Sequence, residues 1–323
     1  MSAQRRAGVE VTERHVDLWR GRERLGPLAA LRVAGAEVKL MIPRRRTFDA
    51  IVVGYPGHFD VPQARSFAGR GKPVVFLPRI ALAHELIERR GRFRRRTLAA
   101  RVLEATDARA LKIANAVVAD SDATAAYLAE LGKLPRERVA TIFAGAEERV
   151  FCERWSPVYP FGALHVSGPG MNLEVLLETA RRVPDLPVRV VAPARADPPP
   201  NVEWLATPYE ELGLAYAHAG VAIASLEASR EIPQAAFHAL ATGTPLVTAD
   251  TAAARELLDD ETAVLVPPAD ADAAGEALMR VSSDHELRLR LSAAGRRLYE
   301  ERASEHVLGA RWRTLLERQV GIV

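Results

Sequence analysis

Residues 230–250 read REIPQAAFHALATGTPLVTAD, a polar loop followed by a helix-forming segment and an apolar strand. The helical pattern begins after Pro233 and ends at Gly243, and the strand follows Pro245. A helix between apolar strands is the crossover unit of a parallel α/β sheet. The free N–H groups at the start of such a helix suit a diphosphate, although an ordinary crossover of any doubly wound sheet explains the same pattern.

Short apolar runs alternate with helix-like segments along the rest of the chain, which predicts parallel sheets joined by crossover helices. The predicted strands of a first series are residues 8–11, 38–42, 50–53, 73–77, 116–119 and 139–142. Those of a second series are residues 162–166, 188–192, 202–205, 221–224, 245–248 and 263–266.

An irregular stretch separates the two series at residues 151–161, where Pro157 and Pro160 interrupt any regular element. We predict the interdomain linker here, between an N-terminal domain of residues 1–155 and a C-terminal domain of residues 156–323. Both domains are expected to be α/β and doubly wound.

The chain has 323 residues, of which 48% are hydrophobic and 26% are charged, as in globular proteins. No apolar run reaches the roughly 20 residues that a transmembrane helix needs, and the charged N-terminus has no apolar stretch behind it. The single cysteine, Cys152, has no disulfide partner and is expected to be a small buried residue. These features predict a cytoplasmic protein.

Positive charge is concentrated in the first half of the chain. Residues 1–150 carry 28 Lys and Arg against 17 Asp and Glu, whereas the remainder carries 16 against 24. The densest cluster, residues 89–96, holds six arginines around Phe93. A charge run is normally a solvated helix face, but this one also suits an anionic membrane surface, which would place the protein at the inner face of the membrane. No nucleic-acid partner is expected, because no recognition motif accompanies the arginines.

Several common catalytic motifs are missing from the sequence: a glycine-rich dinucleotide loop after a strand, a P-loop, His-Glu-x-x-His and Gly-x-Ser-x-Gly. Their absence disfavours a kinase or an oxidoreductase. The eight histidines show no metal-ligand spacing, so we expect neither a bound metal nor a cofactor.

The 230–250 stretch resembles the donor-binding signature of family 4 type (group 1) glycosyltransferases. In that family a Glu, seven residues and a second Glu lead into Ala-Leu-Ala-x-Gly-x-Pro-Val-Val, and here the matching run begins at Ala239. The resemblance is good over residues 120–323 and weaker over 8–119. Further matching segments are residues 120–121, 144–146, 201–205, 208–212, 252–258, 263–270 and 287–296.

The resemblance implies the GT-B fold, in which two Rossmann-like domains face each other across a cleft. It also implies a retaining, metal-independent transfer of a sugar from a nucleotide-sugar donor, in which the leaving diphosphate helps to remove the acceptor proton. The basic first domain suits a lipid-linked or otherwise anionic acceptor. Members of the family open with a strand and a glycine-rich loop that this sequence lacks, so either the N-terminal domain is trimmed or the recorded start lies too far downstream.

Two further departures from the family pattern keep a second hypothesis open, a noncatalytic homologue that acts as a binding or scaffold module. Arg230 and His238 stand where the family has its two Glu residues. The loop at residues 167–172 contains no Lys or Arg, although the family places a basic residue there to neutralise the leaving diphosphate.

The resemblance assigns the donor site to residues of the second domain. Glu231, Arg230 and His238 are expected to contact the sugar, the phosphate and the ribose, and Glu231 is also a candidate catalytic residue. The other candidate donor ligands are Gly168 and Gly170 through backbone N–H groups, Arg195 at a phosphate, Thr207 at the base and Gln234.

Candidates for the acceptor side follow strands of the first domain. His58 follows the strand at 50–53, and ligands bind at the carboxyl edge of open α/β sheets. His58 is therefore a candidate catalytic residue that orients an acceptor or acts as a base, with a solvated loop histidine as the alternative. Further acceptor or membrane candidates are Arg79, His84, Arg92, Arg94, Arg95 and Arg96.

Overall fold

A computed structural model of the chain describes residues 1–13, 48–69, 71–89, 91, 93–157, 161–168, 172–194 and 197–322. Within these residues the chain forms two parallel β-sheets flanked by helices. The predicted strand at 38–42 and the candidate residues Arg92, Gly170 and Arg195 lie outside the described residues.

The first sheet has four parallel strands that follow one another in sequence order. A short helix, α1 (Ser2–Arg6), precedes them. The strands are β1 (Ile51–Val53), β2 (Val74–Phe76), β3 (Ala116–Ala119) and β4 (Val139–Thr141). The connections contain α2 (Val61–Ala68), a π-helical segment (His84–Arg89), α3 (Leu98–Ile113), α4 (Asp122–Gly132) and a 3₁₀ turn (Arg136–Arg138).

The second sheet has six parallel strands in the order β10-β9-β8-β5-β6-β7. The strands are β5 (Phe161–Val166), β6 (Val188–Val191), β7 (Val202–Leu205), β8 (Ala219–Ile223), β9 (Leu246–Ala249) and β10 (Val264–Val266). Its helices are α5 (Glu174–Arg182), α6 (Leu212–Ala217), α7 (Gln234–Thr242), α8 (Ala252–Arg255) and α9 (Ala271–Ser283). A 3₁₀ turn (Tyr209–Glu211) directly precedes α6. Two C-terminal helices follow, α10 (His285–Arg302) and α11 (Glu305–Val320).

The order of the second sheet places a topological switch point between β5 and β8. These strands are neighbours, with Leu164 beside Ala222, but the chain leaves them toward opposite edges of the sheet. Open α/β sheets bind ligands outside the carboxyl ends of two such strands. The residues that follow these strands are 167–172, of which 167, 168 and 172 are described, and 224–233.

Local sequence signals set the ends of the helices. Helix α7 follows Pro233 and stops at Gly243, which takes a left-handed φ of 80°, so both predicted ends are confirmed. Ser121 caps α4 by accepting a hydrogen bond from the Thr124 N–H at 3.0 Å. Equivalent side-chain caps begin α3, α8, α9, α10 and α11.

One apolar cluster joins the two sheets into a continuous core. It contains Val75 and Val118 of the first sheet, together with Phe151 from the predicted linker and Phe237 and Leu240 of α7. The N-terminal helix α1 packs against the C-terminal helix α11. Gly309 of α11 lies so close to the backbone of α1 that a Cβ added to it would be 2.3 Å from the Ala3 carbonyl oxygen. The boundary between residues 155 and 156 stays a prediction.

Ten predicted strands are confirmed to within two residues at each end. The strand predicted at residues 8–11 is wrong: Gly8 has φ 79° and Val9 N–H bonds back to the Gln4 carbonyl at 3.1 Å, so the segment finishes the turn after α1. The prediction of a buried Cys152 is also wrong, because this thiol is exposed. None of the helices among the described residues combines the length and apolar character needed to cross a bilayer.

Candidate functional site

The carboxyl edges of both sheets supply the residues of the candidate site. Arg79 follows β2 and Asp120 follows β3 in the first domain, while the 224–233 loop and α7 follow β8 in the second. Asn172 and Glu227 connect the two switch-point loops through a 3.3 Å hydrogen bond between the Asn172 amide and the Glu227 carboxylate. Gly168 lies exposed in the first of these loops.

The start of α4 holds the 224–233 loop against the first domain. The Arg230 carbonyl oxygen accepts hydrogen bonds from the hydroxyls of Ser121 at 2.8 Å and Thr124 at 2.9 Å. The Arg230 guanidinium lies over the ring of Tyr127, 4.9 Å from its centroid, as a cation–π pair. Arg230 therefore contacts the first domain with both its backbone and its side chain.

Tyr127 connects this loop to a candidate residue of the acceptor side. His84 begins the π-helical segment, and its ring centroid lies 6.0 Å from that of Tyr127. The donor-side Arg230 and the acceptor-side His84 thus share one aromatic neighbour. The sequence contained no signal for this role of Tyr127.

His238 lies in an aromatic slot on α7. Its ring stacks on Phe151 with centroids 3.9 Å apart and meets Tyr216 edge-on at 5.7 Å. The side chain is 6% exposed, and burial lowers its pKa to about 3, with a smaller contribution from the positive charge of Arg79. His238 is therefore neutral at physiological pH, and its Nδ1 has no hydrogen-bond partner among the described residues.

Gln234, one turn before His238, ties α7 to the end of the first domain. Its amide Nε2 donates to the Gly145 carbonyl oxygen at 2.6 Å and lies 3.3 Å from Nε2 of His238. Gly145 has φ 66°, and a Cβ there would lie 2.5 Å from Leu308 Cδ1, so the position requires glycine. Glu231 is half-buried, with its backbone N–H bonded to Ser229 Oγ at 3.0 Å.

Arg79 and Asp120 form the first-domain side of the site. Asp120 is 3% exposed, and burial raises its pKa to about 6, opposed by a hydrogen bond from Thr124 and by the charge of Arg79. Arg79 is exposed and has a left-handed φ of 56°. The positive charge of Arg79 lowers the pKa of both Asp120, which follows β3, and His238 on α7.

The structure places His58 in the interior of the first domain instead of the cleft predicted for it. The side chain is 1% exposed, and its Nε2 lies 3.7 Å from Oδ1 of the equally buried Asp107. Burial lowers the His58 pKa to about 4. Asp107 in turn accepts the backbone N–H groups of Leu82 at 3.1 Å and Ala83 at 2.9 Å. A histidine covered in this way supports the loop after β2 and does not reach an acceptor.

Thr207 lies apart from the other donor candidates. It lines a separate cavity of about 180 Å³ that also contacts Glu211, Leu214 and His218, and no other predicted donor residue lines that cavity. Among the described residues, no group of three His, Cys, Asp or Glu side chains is arranged to hold a metal ion.

The arginine cluster lies on the surface before α3. Arg94, Arg95 and Arg96 are exposed, and Arg96 has φ 68°. Large apolar side chains accompany them, with exposed fractions of 39% for Phe93 and 79% for Leu98.

Comparison with known proteins gives two findings. Residues 167–284 match the family model described as Glycosyl transferases group 1. These residues carry the group 1 glycosyltransferase pattern. The predicted resemblance is confirmed over this region, which contains the 224–233 loop and α7, whereas the assignment to family 4 stays a prediction. No curated protein is significantly similar to the chain in sequence.

Solved structures share the fold over most of their length. Sucrose-phosphate synthase from Thermosynechococcus elongatus is 17% identical, with a TM-score of 0.70 and coverage of 92% of this chain and 80% of that one. HepE from Anabaena, in complex with UDP and glucose, is 16% identical, with a TM-score of 0.68 and coverage of 90% and 83%. A glycosyltransferase from Rickettsia africae is 13% identical, with a TM-score of 0.61 and coverage of 91% and 82%. The predicted GT-B fold is thereby confirmed.

Proposed function

We propose that the protein transfers a sugar from a nucleotide-sugar donor, bound mainly by the second domain, to an acceptor on the first. The observation that carries the proposal is the position of the 224–233 loop. It follows β8 at the switch point, leads into α7 and lies within the residues that match group 1 glycosyltransferases. Open α/β sheets bind their ligands at this place, and the similar fold of HepE was determined with UDP and glucose.

Helix α7 supplies the donor contacts in this proposal. His238 offers the unpartnered Nδ1 of a neutral imidazole, which makes one hydrogen bond to a ribose hydroxyl. Gln234 lies one turn earlier, beside the Gly145 carbonyl. Glu231 and the backbone of Gly168 are the proposed contacts of the sugar and the diphosphate. We further propose retention of configuration, with the leaving diphosphate accepting the acceptor proton and no metal involved.

The first domain is the proposed acceptor side, at an anionic membrane surface. The exposed Arg94, Arg95 and Arg96 supply positive charge, and Phe93 and Leu98 supply apolar side chains that enter the headgroup region. An acceptor in the inner leaflet, lipid-linked or anionic, then reaches the cleft from the first domain. A peripheral position on the cytoplasmic face follows from this proposal.

Nucleotide binding tests the donor assignment. Isothermal titration with UDP and UDP-glucose is expected to give a dissociation constant for the intact protein, and a ligand at 100 times that constant raises the free energy of unfolding by about 2.7 kcal/mol. His238→Ala is expected to weaken UDP binding about tenfold, because a buried hydrogen bond to the ribose is lost. His285→Ala, an exposed histidine of α10, is the matched control. Retained affinity in His238→Ala would reject the donor assignment of α7.

A second candidate function is a noncatalytic homologue that binds a nucleotide or a partner. It is favoured by Arg230, which replaces a family Glu and has its carbonyl and guanidinium both engaged by α4. Incubation of the protein with UDP-glucose and lipid or sugar acceptors, followed by measurement of released UDP, separates the two candidates. UDP-glucose binding without UDP release across the acceptors would favour the noncatalytic role.

A further inference from the structure

Arg79 has a backbone conformation that side chains rarely adopt. It lies three residues beyond β2 with φ 56°, in the left-handed region where a Cβ costs on the order of 1 kcal/mol. Its neighbours Pro78 and Ile80 are buried, so the surrounding fold maintains this conformation. Uncommon backbone geometry of this kind concentrates at ligand sites, and the carboxyl edge of the sheet is where ligands bind.

The guanidinium of Arg79 is uncommitted within the described structure. The side chain is exposed and makes no hydrogen bond or salt bridge with another described residue. Two buried polar atoms that lack partners among the described residues belong to residues on which the charge of Arg79 acts: Oδ1 of Asp120, which follows the neighbouring strand β3, and Nδ1 of His238 on α7. Buried polar groups are normally paired, so these unpaired atoms, together with an exposed guanidinium that no described residue holds in a salt bridge, indicate a polar ligand.

The loop after the first strand of the second sheet has no basic residue in its sequence to balance a diphosphate. The loop at residues 167–172 contains no Lys or Arg. The guanidinium of Arg230 is stacked on Tyr127 of the first domain. A leaving diphosphate requires compensating charge, and a planar guanidinium binds phosphate oxygens in pairs.

We propose that Arg79 binds the diphosphate of the nucleotide sugar from the first domain, across the cleft. This assignment deepens the proposed donor function and rests on it. The residue supplies the charge that the 167–172 loop lacks, so the donor site is complete only when the two domains are together. The contacts of Arg230 with Ser121 and Thr124 hold the 224–233 loop beside the strand edge that carries Arg79.

Titration of Arg79 variants tests this role. UDP, uridine and inorganic pyrophosphate are titrated into the intact protein and into Arg79→Ala, Arg79→Gly and Arg79→Lys. Glycine suits a positive φ, so Arg79→Gly is expected to fold at least as well as the intact protein. The control is Arg297→Ala, an exposed arginine of α10.

Loss of the guanidinium is expected to weaken UDP and pyrophosphate binding at least tenfold and to leave uridine binding unchanged. UDP affinity is expected to depend less on salt concentration in Arg79→Ala and Arg79→Gly than in the intact protein. The salt dependence of Arg79→Lys should lie between these two cases, and that of Arg297→Ala should equal the intact protein's.

The outcomes separate this role from the proposed function. Equal UDP affinity in the intact protein and both neutral variants would overturn the role of Arg79 while leaving the donor function standing. If the Arg79 variants lose pyrophosphate binding but keep their UDP affinity, the phosphate that Arg79 binds belongs to the acceptor. That result would overturn the assignment of Arg79 to the donor diphosphate. Pyrophosphate binding that depends on Arg79, in a protein that does not bind UDP, would keep the anion site and reject the nucleotide donor. A protein that binds neither ligand would reject both proposals.

Discussion

The carboxylate of Glu256, at the end of α8, accepts a 2.7 Å hydrogen bond from the backbone N–H of Ala123 in the first turn of α4. The same carboxylate also accepts the N–H of Asp122. The first N–H groups of a helix have no partner within the helix, and they carry partial positive charge. A residue of the second domain therefore caps a helix of the first.

Removal of this cap is expected to weaken the connection between the domains. Glu256→Ala is expected to lower the free energy of unfolding by about 1 kcal/mol, the usual cost of a lost cap. Chemical denaturation measures the loss, and Glu261→Ala, at an exposed Glu nearby in sequence, is the control. Equal stability of the two variants would show that the contact contributes nothing.

Acid is expected to destabilise the protein through His238. Its folded pKa of about 3 lies below the ~6.5 of an unfolded histidine, so its contribution is complete above pH 6.5 and is lost as the pH falls toward 3. Between pH 7 and pH 5 the intact protein should lose about 2 kcal/mol more unfolding free energy than His238→Phe, which keeps the stack on Phe151. If the unfolding free energies of the intact protein and His238→Phe change equally with pH, the His238 imidazole is not buried in its neutral form. Urea denaturation at each pH measures the difference.

Gly213 is expected to tolerate no side chain. A Cβ at this position of α6 would lie 1.9 Å from the Val150 carbonyl oxygen, where the chain enters the 151–161 segment. Gly213→Ala should therefore cost about 2 kcal/mol or more, because backbone must move. Gly71→Ala is the control, since a Cβ there meets nothing within 4 Å. Thermal unfolding of both variants measures the difference, and similar melting temperatures would contradict the close approach.

The surface before α3 is expected to bind anionic bilayers. Co-sedimentation with phosphatidylglycerol vesicles should fall at least tenfold in a variant with Arg94, Arg95 and Arg96 changed to Glu, because each arginine contributes about 1 kcal/mol near such a surface. Leu98→Ser should weaken binding less and independently of salt. Met279→Ser, which changes a 45% exposed side chain of α9, is the control. Wild-type binding by the triple Glu variant would reject the membrane proposal.

The sequence predicts regular elements well where its signals are local. The apolar runs become the strands, because residues buried on both faces of a sheet must be apolar whatever lies around them. Pro233 and Gly243 bound α7 correctly, since each acts through its own backbone. The strand predicted at residues 8–11 does not form, because Gly8 turns the chain. One apolar residue on each side of Glu10 is too short an apolar pattern to specify a strand.

The long-range relationships were not predictable in the same way. His58 and Asp107 are buried against each other, and nothing in the pattern around either residue indicates burial. Glu256 and Ala123 are 133 residues apart, and the charge of Arg79, after β2 of the first sheet, acts on His238 beside the second. Periodicity, caps and a family signature established the α/β elements, the two-sheet fold and the region of the donor loop. Only the tertiary structure brought Arg79, Asp120 and His238 together, because the partner of a polar side chain depends on how distant elements pack.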